Sequence, residues 1–211
     1  MMESASTVAQ DAPGPRREPS QKRSRERVER MLGVASALIA EKGSDALRMG
    51  EVAERAGVSI GSLYQFFPDK SAIIRALADR YQKESEACIA EALASVDDMK
   101  SLERAFSELV DTYYDIFLAE PVMRDIWSGT QADKALRELE LACSRANAGL
   151  LLAVLRRLRP NEDPAALESS AFLIWQLGEA AMRLAVSVDR EEGDRLVATY
   201  KRMALGELAR R

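Results

Sequence analysis

Two short helical patterns meet at one corner, Ala56-Gly57-Val58-Ser59, and the tightness of that corner constrains the fold more than any other feature of the chain. Before it, residues 49–55 suit a helix with Val52, Ala53 and Ala56 inward. Gly57 is the residue type that takes the left-handed conformation at a helix end. Ser59 is placed to accept a backbone hydrogen bond as N-cap of the next helix, about residues 60–67, and Val58 plugs the corner. Two helices joined by three or four residues including a glycine make a helix-turn-helix. In such a unit the first helix braces against phosphates and the second presents its N-terminal side chains to the major groove.

The flanking sequence is helical throughout. Val28, Met31, Leu32, Ala35, Leu38 and Ile39 recur at three- and four-residue spacing, and Gly43 is a good stop for that helix. Pro68 and Asp69 break the third helix and open a fourth, about residues 70–95. Further helices fit residues 99–119, 122–128, 131–159, 164–188 and 191–210, with breaks at Pro121, Gly129, the Pro160-to-Pro164 loop and Gly193. No segment alternates like a strand. The expected fold is all-α, about nine helices: an N-terminal three-helix helix-turn-helix domain and a larger C-terminal bundle. We divide the chain into a disordered Pro-containing tail (1–21), a DNA-binding domain (22–70), a connecting helix (71–95) and a ligand-binding and dimerisation domain (96–211).

Composition narrows the function. The 211 residues contain no His, which removes the commonest general base and most catalytic zinc sites. No nucleotide-binding Gly-rich loop or Ser or Cys nucleophile motif is present, so an enzyme is not expected, nor a cofactor or metal. Cys88 and Cys143 read as packing thiols or, alternatively, a redox-sensing pair. No apolar run is long enough to span a bilayer and no signal peptide opens the chain, so no membrane partner and a cytoplasmic location are expected. Net charge is −4, yet residues 16–70 carry +3 and residues 71–211 carry −5. A basic head on an acidic body suits local phosphate contact. The arm bearing Lys22, Arg23, Arg25 and Arg27 either reaches DNA or is a solvated tail.

The segment from Arg48 to Lys70 resembles the DNA-binding signature of the TetR family of transcriptional regulators. The likeness rests on Val52-Ala53, Ala56-Gly57-Val58-Ser59, Gly61-Ser62-Leu63-Tyr64, the aromatic pair Phe66-Phe67, Pro68-Asp69-Lys70 and the pair Ile73-Ile74, and covers about residues 24–75. It implies that Ile60, Gly61, Ser62, Gln65 and Phe66 face the groove and that Tyr64 and Lys70 grip phosphates. The chemistry agrees in part. Gln65 can pair bidentately with adenine, Ser62 can donate, and Ile60 can meet only a thymine methyl. Phe66 alternatively belongs to the core. Leu63 and Phe67, four apart, point inward. Arg48 stands where the family usually has a Ser or Thr N-cap, and Gly50 where a basic residue is common; Arg48 is itself a candidate phosphate contact. The candidate DNA residues are therefore Arg25, Arg48, Ser59, Ile60, Gly61, Ser62, Tyr64, Gln65, Phe66 and Lys70.

For the second block the resemblance implies a small-molecule pocket and a helical dimer seam. Candidate pocket residues are Phe106, Tyr113, Phe117, Trp127, Trp175, Glu179 and Arg183, with Tyr114, Gln176 and Met123 beside them; ordinary core is the alternative. Glu179 and Arg183, four apart, suit a helical ion pair. Candidate seam residues are Leu167, Ala171, Ile174, Gly178, Ala181, Leu196 and Met203. The expected partners are double-stranded operator DNA, a second copy of the chain as homodimer, and an unidentified effector, largely apolar, whose binding shifts the fourth helix. Repression relieved by effector is the default, with activation open. A ligand carrier with an inactive head and a DNA-binding protein with a protein-interaction body are the competing readings.

Overall fold

The computed structural model describes residues 18–129 and 134–210, and among these the only regular elements are nine helices. They are α1 (Glu18–Lys42), α2 (Met49–Arg55), α3 (Ile60–Phe66), α4 (Lys70–Leu93), α5 (Met99–Ala119), α6 (Pro121–Gly129), α7 (Lys134–Leu158), α8 (Pro164–Ala185) and α9 (Arg190–Leu208). The all-α expectation holds. The expected tail over residues 1–17 lies outside the described residues, but residues 18–21 belong to α1, which starts earlier than the apolar stripe indicates. Its opening Glu18-Pro19 places an acid and a proline in the first turn, where both are tolerated.

Side-chain caps set several helix starts. Ser59 Oγ accepts from Ser62 N at α3, and Asp69 accepts from Ala72 N at α4. Asp98 and Ser101 form a reciprocal capping box at α5; Asp163 and Asp189 cap α8 and α9. Arg48, at the N-cap of α2, makes no side-chain cap. Gly57 sits at φ +64, the left-handed region anticipated for the turn. Gly193, read as a break, is instead buried inside α9. A Cβ there would lie 2.5 Å from the Ala185 carbonyl oxygen and 2.6 Å from the Tyr114 hydroxyl, so glycine lets α9 pass close to the end of α8.

Two hydrophobic cores result. The head core joins Met31, Leu38, Val52, Leu63, Phe67, Ile73 and Leu77; the body core joins Ile89, Leu102, Phe106, Leu151, Leu155 and Leu208 among others. Two helices serve both. α4 gives its first half to the head and Ile89 and Leu93 to the body. α6 buries Val122 and Ile126 in the head core and Met123 in the body core. The sequence division at residue 96 therefore cuts across packing, because α6 follows α5 in the chain yet helps to build the head.

Replacing Gly57 by Ala puts a Cβ into a left-handed backbone. We expect a loss of about 1–2 kcal/mol in urea unfolding. An unchanged midpoint would mean that the turn relaxes without strain.

Candidate functional sites

The head presents α3 outward. Leu63 is fully buried and Phe67 nearly so, which turns Ile60 (45% exposed), Gly61, Tyr64 (49% exposed) and Gln65 to solvent. Ile60 and Tyr64, four apart, thus stand exposed on one side of the helix. Ser62 is half-buried, and its Oγ accepts from Arg27 Nη1 at 3.4 Å. Arg27 is thus the α1 cation brought to the reading helix. Arg25, the arm residue selected from sequence, lies about 200° round the same helix and is not brought there. Phe66 is half-buried against the head core, so most of its ring packs rather than faces outward. Lys70 Nζ donates to the Asp45 carbonyl at 3.3 Å, and Arg48 is exposed at the start of α2. The ion pairs of Lys42 with Glu51 and of Arg55 with Glu41 (2.9 Å) tie α2 to α1. The Lys42 ammonium beside Glu51 holds that carboxyl below its ordinary range.

The body holds a narrow cavity of two lobes sharing Tyr113 and Glu179. The first, a cavity of about 30 Å³, is lined by Phe106, Leu109, Tyr113, Trp175, Met182 and Tyr200. The second, about 20 Å³, is lined by Tyr81, Gln82, Ser85, Phe117, Met123, Asn147 and Arg183. Tyr113 meets Trp175 edge to face, with centroids 5.9 Å apart. Glu179 Oε1 accepts from Trp175 Nε1 at 3.1 Å, and Oε2 accepts from Ser144 Oγ at 2.8 Å and Gln176 Nε2 at 3.3 Å. Burial pushes the Glu179 carboxyl up to about 7, with the charge of Glu140 adding to it against the donors from Ser144 and Trp175. Burial and the Glu179 charge likewise push the Tyr113 phenol up. Gln82 Nε2 donates to Asn147 Oδ1 at 2.9 Å, Asn147 Nδ2 to Ser85 Oγ at 3.4 Å, and Ser85 hydrogen-bonds Tyr113.

The comparisons with known proteins bear on both parts. Residues 31–77 match the family model described as bacterial regulatory proteins, tetR family, and residues 100–211 match a tetracyclin repressor-like C-terminal domain. The chain belongs to the TetR family of regulators. Among curated proteins it is similar to the HTH-type transcriptional repressor KstR of Rhodococcus jostii, 40% identical over 60 residues. That match spans 28% of this chain and 28% of KstR. Among solved structures it is similar to a TetR-family transcriptional regulator from Streptomyces coelicolor, with TM-score 0.69, 25% identity and coverage of 88% of this chain and 97% of that one. It also shares its fold with the regulator FadR from Bacillus subtilis in complex with stearoyl-CoA, with TM-score 0.62, 15% identity and coverage of 85% and 96%.

In this TetR-family chain the pocket residues chosen from sequence largely converge: Phe106, Tyr113, Phe117, Trp175, Glu179 and Arg183 all line the cavity. The Trp127 side chain lies outside the described residues. Tyr114 does not converge; its ring lies under the Arg190 guanidinium, 5.2 Å away, on the α9 side. The expected Glu179–Arg183 pair does not form. Arg183 Nη1 bonds Glu140 Oε1 on α7 at 2.7 Å, while Glu179 turns to Trp175, Ser144 and Gln176. Arg183 thus finds its partner across the α7–α8 interface, while Glu179 keeps two same-helix partners, Trp175 and Gln176, and adds Ser144 from α7. The residues sequence reasoning missed, Gln82, Ser85, Glu140, Ser144 and Asn147, are polar side chains at buried positions of α4 and α7. Their spacing within the buried stripes was the available signal.

The seam residues divide. Leu167 and Ala171 are buried in the protomer's own core, and Gly178 lies under the Tyr200 ring of its own chain, so none of the three is free for a partner. Ile174 is 5% exposed, and Ala181 and Leu196 are half-buried; these three line a groove whose exposed rim is Leu173, Leu177, Leu184 and Met203. Of the seven seam candidates, Ile174, Ala181, Leu196 and Met203 thus line this groove, and Leu167, Ala171 and Gly178 pack within the protomer.

With its pKa raised from 4.5 to about 7, Glu179 keeps in the folded protein a proton that the unfolded chain releases. Its contribution therefore favours folding at pH 4.5 and is lost as pH rises towards 7, by about 3 kcal/mol in total. Thermal unfolding of Glu179→Gln should lack this fall between pH 5 and 8. Parallel pH profiles for wild type and variant would refute the assignment.

Proposed function

We propose that the protein is a cytoplasmic, homodimeric repressor that reads a palindromic operator through α3 and is released from it by a small, largely apolar effector held in the body cavity. The single observation that carries this reading is the outward α3 face. Ile60, Tyr64 and Gln65 stand exposed on a helix fixed from behind by Leu63 and Phe67. Ile60 suits a thymine methyl and Gln65 an adenine edge, while Tyr64, Lys70, Arg48 and Arg27 suit phosphates. The repressor reading is supported by the likeness of the head to KstR, and the effector reading by the cavity and by the bound acyl-CoA in the FadR structure.

The dimer reading rests on exposed apolar surface. Of the seven large hydrophobic side chains exposed among the described residues, two lie on α3 and four, Leu173, Leu177, Leu184 and Met203, rim the α8–α9 groove. A contiguous apolar face of this kind marks a protein interface. Two heads about 34–36 Å apart on one face of DNA read two half-sites.

Release follows from the two shared helices. An effector filling the second lobe presses on Met123 of α6 and on Tyr81, Gln82 and Ser85 of α4. Both helices are anchored in the head core, and Asp125 of α6 accepts from Ser44 N in the α1–α2 turn at 2.8 Å. The change in operator affinity can be no larger than the effector's preference for one state over the other.

Selection of randomised duplexes on the purified protein should return a palindrome whose affinity falls steeply with salt. Tyr64→Ala with Lys70→Ala should weaken it about tenfold or more and lower the salt slope by about one, for the cation removed. No enriched sequence would sink the regulator reading for this head.

Leu177→Glu places a charge in the middle of the apolar face. Sedimentation velocity should show a monomer at micromolar concentration, and operator affinity should fall about a hundredfold as the second half-site is lost. A dimer that survives would move the interface elsewhere.

A further inference from the structure

We propose that the effector carries a cationic nitrogen, an amine or amidinium on a small aromatic frame, and that Glu179 receives this nitrogen in the body cavity. This deepens the sensor reading above and rests on it.

The inference comes from the charges that border the cavity. Glu179 faces both lobes, and among the described residues no Lys or Arg lies within ion-pair distance of it. Its three hydrogen-bond donors, Trp175, Ser144 and Gln176, are all neutral. A carboxylate offers about four acceptor positions, so one remains for a further donor. The cation nearest by sequence, Arg183, is held by Glu140 across the α7–α8 interface at 2.7 Å. When ionised, Glu179 thus has only neutral hydrogen-bond donors in a largely apolar cavity. Even a half-buried carboxylate without a cation is costly, and its upward displacement to about 7 accords with that cost. A ligand bringing its own positive charge relieves it.

The lining suits the same ligand, which enters as the two small lobes widen. Phe106, Tyr113, Trp175 and Tyr200 surround the carboxylate side of the first lobe. Aromatic faces attract a cation as well as an apolar frame. In the second lobe Gln82, Ser85 and Asn147 are neutral, Gln82 also donating to Glu86 at 2.8 Å, and the one cation of its lining, Arg183, is held by Glu140 at 2.7 Å. An anionic head group would meet Glu179 with no free cation opposite it.

The test uses the full chain and three compounds of one frame: benzylamine, benzyl alcohol and benzoate. Their affinities are measured by ligand-observed NMR titration, and each is added to the complex with the selected operator. Benzylamine should bind at least tenfold more tightly than benzyl alcohol, and benzoate most weakly. Glu179→Gln should bring benzylamine down to the affinity of the alcohol. The ranking on the unaltered protein stands by itself should that variant fail to fold. Alcohol or benzoate binding as tightly as the amine, or an amine preference that survives Glu179→Gln, would overturn the proposal while leaving a sensor of another ligand class. Absence of binding by all three, with the operator complex undisturbed, would count against the sensor reading itself and the proposal with it.

Discussion

The position of the DNA-reading head depends on α6. Val122 and Ile126 enter the head core, Met123 one residue on from Val122 enters the body core, and Asp125 bonds the backbone of Ser44. Consecutive residues of one helix point about 100° apart, so a single short helix can hold two cores at once. α4 does the same over a longer span, with its first half in the head and its second in the body. Two packed struts fix the orientation of a rigid unit far better than one. Any rotation of the head must repack side chains in a close-packed interior, which favours discrete arrangements over gradual drift.

The same logic explains the polar centre of the body. A chain that needed only stability would fill the space between α4, α5, α7 and α8 with aliphatic residues, since buried polar groups are no better than neutral for stability unless fully paired. Instead Gln82, Ser85, Asn147 and Tyr113 form one hydrogen-bonded string, and Ser144, Trp175 and Gln176 converge on Glu179. The string reaches α4 through Gln82 and Ser85, and the second lobe beside it reaches α6 through Met123. A molecule that disturbs this network acts on both struts that hold the head.

How much of this was legible beforehand differs by level. The head was legible in detail because its signals are local: Gly57 needs only its own backbone, Ser59 caps α3 through the N–H of Ser62 three residues on, and Leu63 with Phe67 declares a buried face. The cavity was legible as a set of aromatic residues but not as a network. Arg183 had an equally good partner at Glu179 by helical spacing, and only the approach of α7 decided for Glu140. The role of α6 was not legible at all. Nothing within residues 121–129 states that Val122 and Ile126 pack against residues about ninety positions earlier.

The two apolar faces of α8 show why periodicity alone could not choose between them. Leu167, Ala171, Ile174, Met182 and Ala185 form one apolar stripe, and Leu173, Leu177 and Leu184 form a second. A helix apolar on both sides has no amphipathic phase to read, and such a helix is covered on both sides in its working state. The stripe on the inside closes over the cavity; the stripe on the outside is exposed and is the face proposed for the dimer. Tyr200 stands between the two, lining both the cavity and the outer groove, with its hydroxyl donating to the Ile174 carbonyl at 2.8 Å. In the proposed dimer an effector against Tyr200 and Glu179 therefore sits one helix thickness from the second protomer. Cavity occupancy can then act on the spacing of the heads by two routes: through α4 and α6 within a chain, and through the α8–α9 face between chains.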